Sequence, residues 1–169
     1  MKNRFLVALS LLAFSACLAG AGGKDDRNAA AAFAKLKTLV GQWEADTDKG
    51  KITSTYELVS NGTALVEHVN APGEDAMVTV YHLDGSYLVL THYCIAGNQP
   101  HMQAKAFDPA SNKISFDFVS AGNLASPGDG HMHSVQVSFI GPDAFKSDWT
   151  FYKDGKPAFT EPFQFRRVR

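Results

Sequence analysis

The chain has 169 residues, 45% of them hydrophobic, and a formal net charge of −1; this excludes a disordered polymer and leaves room for one domain around one core. Its 16 Lys and Arg cluster nowhere before the last four residues, which excludes the electrostatic footprint of a nucleic-acid surface. The 12 Phe suit the inward face of a closed sheet.

The first segment reads as a leader. A basic start, Met1-Lys2-Asn3-Arg4, precedes an apolar run from Phe5 to Phe14 and a small-residue stretch ending at Gly23. That order predicts a secretory signal over 1–23, and export to the bacterial periplasm or to a lipid anchor in the cell envelope. The apolar run is too short to span a bilayer as a stable helix. Two processing routes stay open. Ala19-Gly20-Ala21 resembles a signal-peptidase I site, whereas Phe14-Ser15-Ala16-Cys17 resembles a lipobox, with Phe14 where Leu is usual and a lipid on Cys17 as the membrane tether. Either route leaves Cys94 as the sole thiol of the folded domain, 24–169, so no disulfide forms within it despite an oxidising compartment.

Asp25 to Val40 is the one helical stretch. Ala29 to Ala32 favour helix, and Phe33, Leu36, Leu39 and Val40 recur at helical spacing as an apolar stripe. Asp25, Asp26 or Asn28 caps its start and Gly41 ends it. After Gly41 the period becomes two, and ten strands follow: 42–47, 51–60, 63–70, 76–83, 86–94, 101–107, 113–119, 131–140, 145–153 and 156–166. Asn61-Gly62, Asp84-Gly85 and Asp154-Gly155 are two-residue hairpin signals, since these residues accept the positive φ such turns need. No helical segment separates any two strands, so neighbours run antiparallel. The expectation is a mainly β fold: a single ten-stranded, antiparallel, up-and-down barrel with one N-terminal helix.

The turns also set a register. Across Asn61-Gly62, Leu58 faces the same side as Leu65, and Tyr56 sits opposite Glu67. Across Asp84-Gly85, Tyr81 pairs with Leu88, Thr79 with Leu90 and Met77 with His92. Alternation turns Leu88, Leu90, His92 and Cys94 inward, then Ile114, Phe116 and Phe118, and then His131, His133, Val135, Val137 and Phe139. For 101–107 the inward set is Met102, Ala104 and Ala106, and Pro162 breaks the last strand.

The helix followed by Gly41-Gln42-Trp43 at the start of the first strand resembles the lipocalin signature of the calycin superfamily. The resemblance implies that Trp43 closes one end of the barrel against an Arg of the last strand. Arg166, Arg167 and Arg169 are at hand, and Arg166 is taken for that role. The strand count is more similar to fatty-acid-binding proteins and haem-binding nitrobindin-like barrels than to eight-stranded lipocalins. Thr91 to Pro100 resembles a segment of bacterial lipocalin-like families of unknown function, a likeness that brings no activity with it.

With Trp43 at the bottom, alternating strand directions send His92, Cys94, His131 and His133 to the inner rim at the top, with Glu67 and Met77 near the same level. The loop 120–130, rich in Gly, Ser and Pro, can then close over them as a lid. A buried polar group without a partner costs on the order of 1–3 kcal/mol, so these groups suit a solvated mouth. One reading is a cavity for a small, mostly hydrophobic molecule, lined by Tyr56, Tyr81, Phe116 and Phe118 below the polar rim. A second is a haem or zinc site using His131, His133 and His92; the first two lie about 7 Å apart by strand rise. A third makes Cys94 a nucleophile with His92 or His131 as base, a step toward catalysis that no accompanying motif supports. Against all three stands a barrel filled by its own side chains, with no ligand. No protein partner is implied.

Overall fold

The computed structural model describes residues 24–105, 107 and 109–169, with side chains from Asn28 onward. The leader over 1–23, the lipidation of Cys17 and the inward placement of Ala106 lie outside the described residues.

Helix α1 (Lys24–Leu36) runs into a 3-10 turn over Lys37–Leu39. It is shorter at its C-terminus than the apolar stripe suggests, because the last turn tightens before the chain enters the sheet. Ala29, Ala32, Phe33, Leu36 and Leu39 are buried, one stripe at helical spacing. The strands are β1 (Gly41–Thr47), β2 (Gly50–Val59), β3 (Ala64–Asn70), β4 (Met77–Asp84), β5 (Tyr87–Tyr93), β6 (Gln99–Ala104), β7 (Lys113–Gly122), β8 (His131–Gly141), β9 (Ala144–Lys153) and β10 (Lys156–Arg167). Each pairs antiparallel with its sequence neighbours, and β10 returns to β1, so the ten strands close into an up-and-down barrel. Closure leaves a single chain with no free sheet edge at its base.

Several details differ from the sequence reading. The β4–β5 turn is Gly85-Ser86 rather than Asp84-Gly85: Asp84 pairs with Tyr87, which puts Tyr81 opposite Leu90 and Thr79 opposite His92. Only Gly85 takes a positive φ there, 54°, the pattern of a II′ turn. At Asp154-Gly155 both residues do, at 52° and 72°, and the expected I′ hairpin forms. Leu58 pairs with Leu65 as expected yet is 42% exposed, because it lies at the fringe of the barrel base. Strand β10 continues through Pro162, with its irregularity at Pro157/Phe159 instead. Above Phe165 it has only β9 as partner, and a one-sided strand tolerates proline.

The base is closed by Trp43. Its indole Nε1 donates to the Leu39 carbonyl at 2.6 Å, and its ring meets Phe145 edge-on at 4.8 Å. The arginine over it is Arg167, not Arg166: the Arg167 guanidinium lies 4.1 Å from the ring centroid and donates to the carbonyls of Val40 at 2.8 Å and Thr38 at 2.9 Å. Register explains the correction. Trp43 pairs with Arg167 across β1 and β10, and cross-strand partners share a face. Arg166 is on the other face, in ion pairs with Glu44 at 2.7 Å and Asp46 at 2.8 Å.

Candidate functional site

The interior divides into two halves. The lower half is packed: Tyr56, Leu65, Tyr81, Leu90, Phe116 and Phe145 are all buried there. The upper half encloses a cavity of about 240 Å³. Its walls are apolar, with Ile52, Val69, Met77, Met132, Trp149 and Phe163 among them. Its mouth is framed by the β1–β2 turn (Asp48, Lys49), by Ala71, Pro72 and Glu74, by Ile95, and by Phe159 and Glu161 of β10.

A polar row separates the halves. Tyr56 pairs with Glu67, Glu67 with Thr79, and Thr79 with His92, so four inward side chains stand level across β2, β3, β4 and β5. Glu67 Oε1 accepts from Ser54 Oγ at 2.9 Å and Tyr56 OH at 2.7 Å, and Oε2 accepts from Tyr81 OH at 2.9 Å. Burial pushes the Glu67 carboxyl above its ordinary range, against the lowering influence of the Tyr56, Ser54, Tyr81 and Thr79 hydroxyls. Burial, helped by the Glu67 charge, pushes both phenols well above theirs. Among the described residues no cationic side chain bonds to this cluster, and hydroxyl dipoles solvate the carboxyl.

His92 is 4% exposed. Its Nδ1 lies 2.9 Å from Thr79 Oγ1, and its ring is tilted against Trp149 at 4.7 Å. Burial lowers its pKa to about 4, so the imidazole is neutral at pH 7. Among the described residues the bond to Thr79 is the only side-chain hydrogen bond of His92, and the ring borders the cavity.

The structure brings together only part of the expected rim. His92, Cys94, Glu67 and Met77 line the cavity; Tyr56, Tyr81 and Phe116 are the packed layer beneath it. His131, His133 and Phe118 do not line it. His131 Nε2 is 3.1 Å from His133 Nδ1, and His131 Nδ1 is 2.9 Å from the Asp129 carbonyl. His133 is stacked 3.8 Å from Tyr152 and 4.9 Å from Phe118. The cause is a β-bulge. The β8–β9 register shifts between Met132 and Ser134, which breaks the alternation above Val135 and turns Met132 to the cavity. Burial, with His131 beside it, lowers the His133 pKa.

The expected metal set therefore falls apart: His92 is separate from the His131–His133 pair. Among the described residues no three His, Cys, Asp or Glu side chains are placed to hold a metal ion together. Cys94 borders the cavity, but burial, and then the Glu74 charge, pushes its thiol up, away from the thiolate a nucleophile needs. The expected lid does not border the cavity either. Asp129 binds it internally, accepting from the amides of Ala125 at 2.8 Å and Ser126 at 3.0 Å. Asn98 ties the β5–β6 loop to it through the Gly130 carbonyl at 2.9 Å.

Sequence reasoning missed Thr79, Ser147, Trp149 and the β10 contributors. Phe159, Glu161, Phe163 and Phe165 alternate along one face of β10 and all border the cavity; that signal was present but obscured by Pro162. Between β1 and β10 only Trp43–Arg167 and Glu44–Arg166 pair, so above them the two strands part along the cavity wall.

No family model and no curated protein matches this chain. Solved structures similar to this chain include two proteins. One is Rv2717c from M. tuberculosis, with a TM-score of 0.51 and 15% identity over 82% of this chain and 98% of that one. The other is a protein of unknown function of the DUF3598 family from Nostoc punctiforme PCC 73102, with a TM-score of 0.45 and 12% identity over 79% of this chain. This chain spans about half of the latter's length, 49%.

Proposed function

We propose that this protein is an exported, lipocalin-like binding protein that holds a small, mostly hydrophobic molecule in the upper half of its barrel. The observation that carries the reading is the divided interior. Below the Tyr56–Glu67–Thr79–His92 row side chains fill the barrel, whereas above it Trp149, Phe159, Phe163 and Phe165 stand as walls around an apolar cavity of about 240 Å³. A cavity with apolar walls and a few placed polar groups is the usual form of a small-molecule site. Its size is just under the common range of about 300–1,000 Å³, which favours a slender ligand. The test is binding of the neutral dye Nile red, with Ser147→Phe as the blocking variant, because Ser147 is buried and borders the cavity. Dye fluorescence should rise with the native chain and fall away in a folded Ser147→Phe chain. No dye binding, or equal binding by the variant, would count against the cavity as the site.

The second reading, a haem protein, has one observation in its favour: a single neutral imidazole, His92, borders the cavity. His131 and His133 offer it nothing, being engaged with each other. A Soret shift on mixing with haem, lost in His92→Ala, is the expected sign; an unaltered spectrum removes this reading.

A further inference from the structure

The rim of the cavity is closed on one side and low on the other, and the route inferred from this rests on the binding reading above. On the β5–β8 side the rim is filled by its own side chains. Asn98, itself buried, holds the β5–β6 loop to the Gly130 carbonyl at 2.9 Å. Beside it Phe118, His131, His133 and Tyr152 stack on one another. His131 pairs with Tyr152 near the top of β9 and is only 6% exposed.

On the β10–β1 side the wall stops early. β1 ends at Thr47, and its pairs with β10 are Trp43–Arg167 and Glu44–Arg166. Continued upward, that register sets Thr47 opposite Phe163. β10 begins at Lys156, so the strand from Pro162 upward stands above the β1–β2 turn with β9 as its partner. The inward side chains show the missing neighbour. Glu161 pairs with Trp149, and both border the cavity, yet Trp149 is buried and Glu161 is exposed. Up the same face, Phe165 is buried, Phe163 half-buried and Phe159 49% exposed. The result is a lateral notch. Phe159 and Phe163 flank it on one side and Pro72, close against Gly50, on the other, with Asp48 and Lys49 at its lower edge.

The sequence of β10 keeps this notch from zipping shut. Pro157 and Pro162 have no N–H to give, and Glu161 is a charge on the inward face. Proline and inward-pointing charge both discourage an edge strand from pairing, so the edge suits a small molecule better than an added strand. The Phe159 ring lies parallel to Phe151, 5.1 Å between centroids, and can swing out without breaking a hydrogen bond.

We propose that ligands enter and leave the cavity sideways, through the notch between upper β10 and the β1–β2 turn, with the Phe159 ring as its gate. The path runs past Phe159 and Phe163 to Trp149 and never crosses the packed β5–β8 rim. A slender molecule can follow it one end first.

The experiment is stopped-flow binding and release of Nile red by the native chain, Phe159→Ala, Lys49→Trp and Ala96→Trp. Lys49 is exposed at the lower edge of the notch, and Ala96 is exposed in the β5–β6 loop, on the opposite rim. A lost contact within a site changes mainly the dissociation rate, whereas a change at a doorway alters entry and exit by one factor and leaves affinity in place. Phe159→Ala should raise both rates by about threefold or more, and Lys49→Trp should lower both by a similar factor, within the range over which association rates vary among variants of one site. Ala96→Trp should leave both rates as they are. Either notch variant leaving the rates unchanged, or changing dissociation alone, overturns the proposal. So does Ala96→Trp slowing both rates together, which would place the route over the top of the barrel. Lys49→Trp, in an exposed turn, keeps the test in hand should Phe159→Ala fail to fold. Absence of dye binding by the native chain overturns the parent reading instead.

Discussion

The buried imidazole of His92 makes stability depend on acid in a way that one substitution isolates. Burial holds its pKa at about 4 in the fold, against an ordinary value of 6.5. Between these values the unfolded chain binds the proton and the folded chain does not, so falling pH favours unfolding. Every tenfold difference in proton affinity corresponds to about 1.4 kcal/mol, giving about 3 kcal/mol across the window for a group this buried. The contribution is neutral above pH 6.5, grows as pH falls from 6.5, and is complete near pH 4. Glu67 acts in the opposite sense. Its raised carboxyl takes up a proton in the fold before it does in the unfolded chain, which stabilises the fold as pH falls. The comparison is therefore between native chain and His92→Gln, in which Glu67 is retained. Urea unfolding at pH 7 and at pH 4 gives four free energies. The native chain should lose about 3 kcal/mol more than the variant on acidification. Equal losses would show that His92 takes up its proton inside the fold without penalty, and the argument for a buried, neutral ring would fail.

Three further outcomes follow from particular contacts. Arg167→Ala should cost about 2 kcal/mol in urea unfolding, through the charge-assisted bonds to Val40 and Thr38 and the stacking on Trp43, whereas Arg166→Ala, in exposed ion pairs, should stay within about 0.5 kcal/mol. Tyr81→Phe removes the donor to Glu67 Oε2 and leaves a buried oxygen short of one partner, an expected loss of about 1–3 kcal/mol by the same measurement. Export processing is checked by whole-protein mass from cells: the recovered chain should fall below 18.3 kDa, starting at lipid-modified Cys17 or after Ala21, and an uncut chain in the cytoplasm would refute the leader.

The architecture was legible in the sequence because its signals are local. The alternation of apolar residues and the turn residues give strand number, order and direction, and the closing Trp43 follows closely on the helical segment that ends at Leu39. What sequence alone did not resolve lies at the irregularities. Asp84-Gly85-Ser86 offers two overlapping two-residue turns, and choosing the wrong one moves Thr79 two residues away from His92. The bulge at Met132/Ser134 has no residue signature, yet it decides that Met132 rather than His131 or His133 borders the cavity. Arg166 and Arg167 are adjacent and chemically equal; only the pairing of Trp43 distinguishes them. Pairing across β1 and β10 is the contact most remote in sequence, so no local pattern reports it.

The polar row also explains how a small barrel keeps half its interior open without losing its core. Tyr56 and Tyr81 each have two ends with different work. Their rings pack the lower half, where Tyr81 meets Phe116 at 5.9 Å and Tyr56 meets Phe145 at 6.0 Å; their hydroxyls end on Glu67. Replacing Glu67 by an apolar residue would strand three hydroxyls at the floor, and replacing either Tyr would strand a carboxyl oxygen. The carboxyl therefore fixes the height at which packing stops. His92 stands at the same height and borders the cavity, and among the described residues its one side-chain hydrogen bond is to Thr79, so it is the member of the row placed to meet a ligand. Substitutions at Glu67, Tyr56 and Tyr81 should register first in stability, and substitutions at His92 first in ligand choice. A His92→Phe chain that unfolds as readily as Tyr81→Phe at neutral pH would show that the row is one structural unit with no separate binding member.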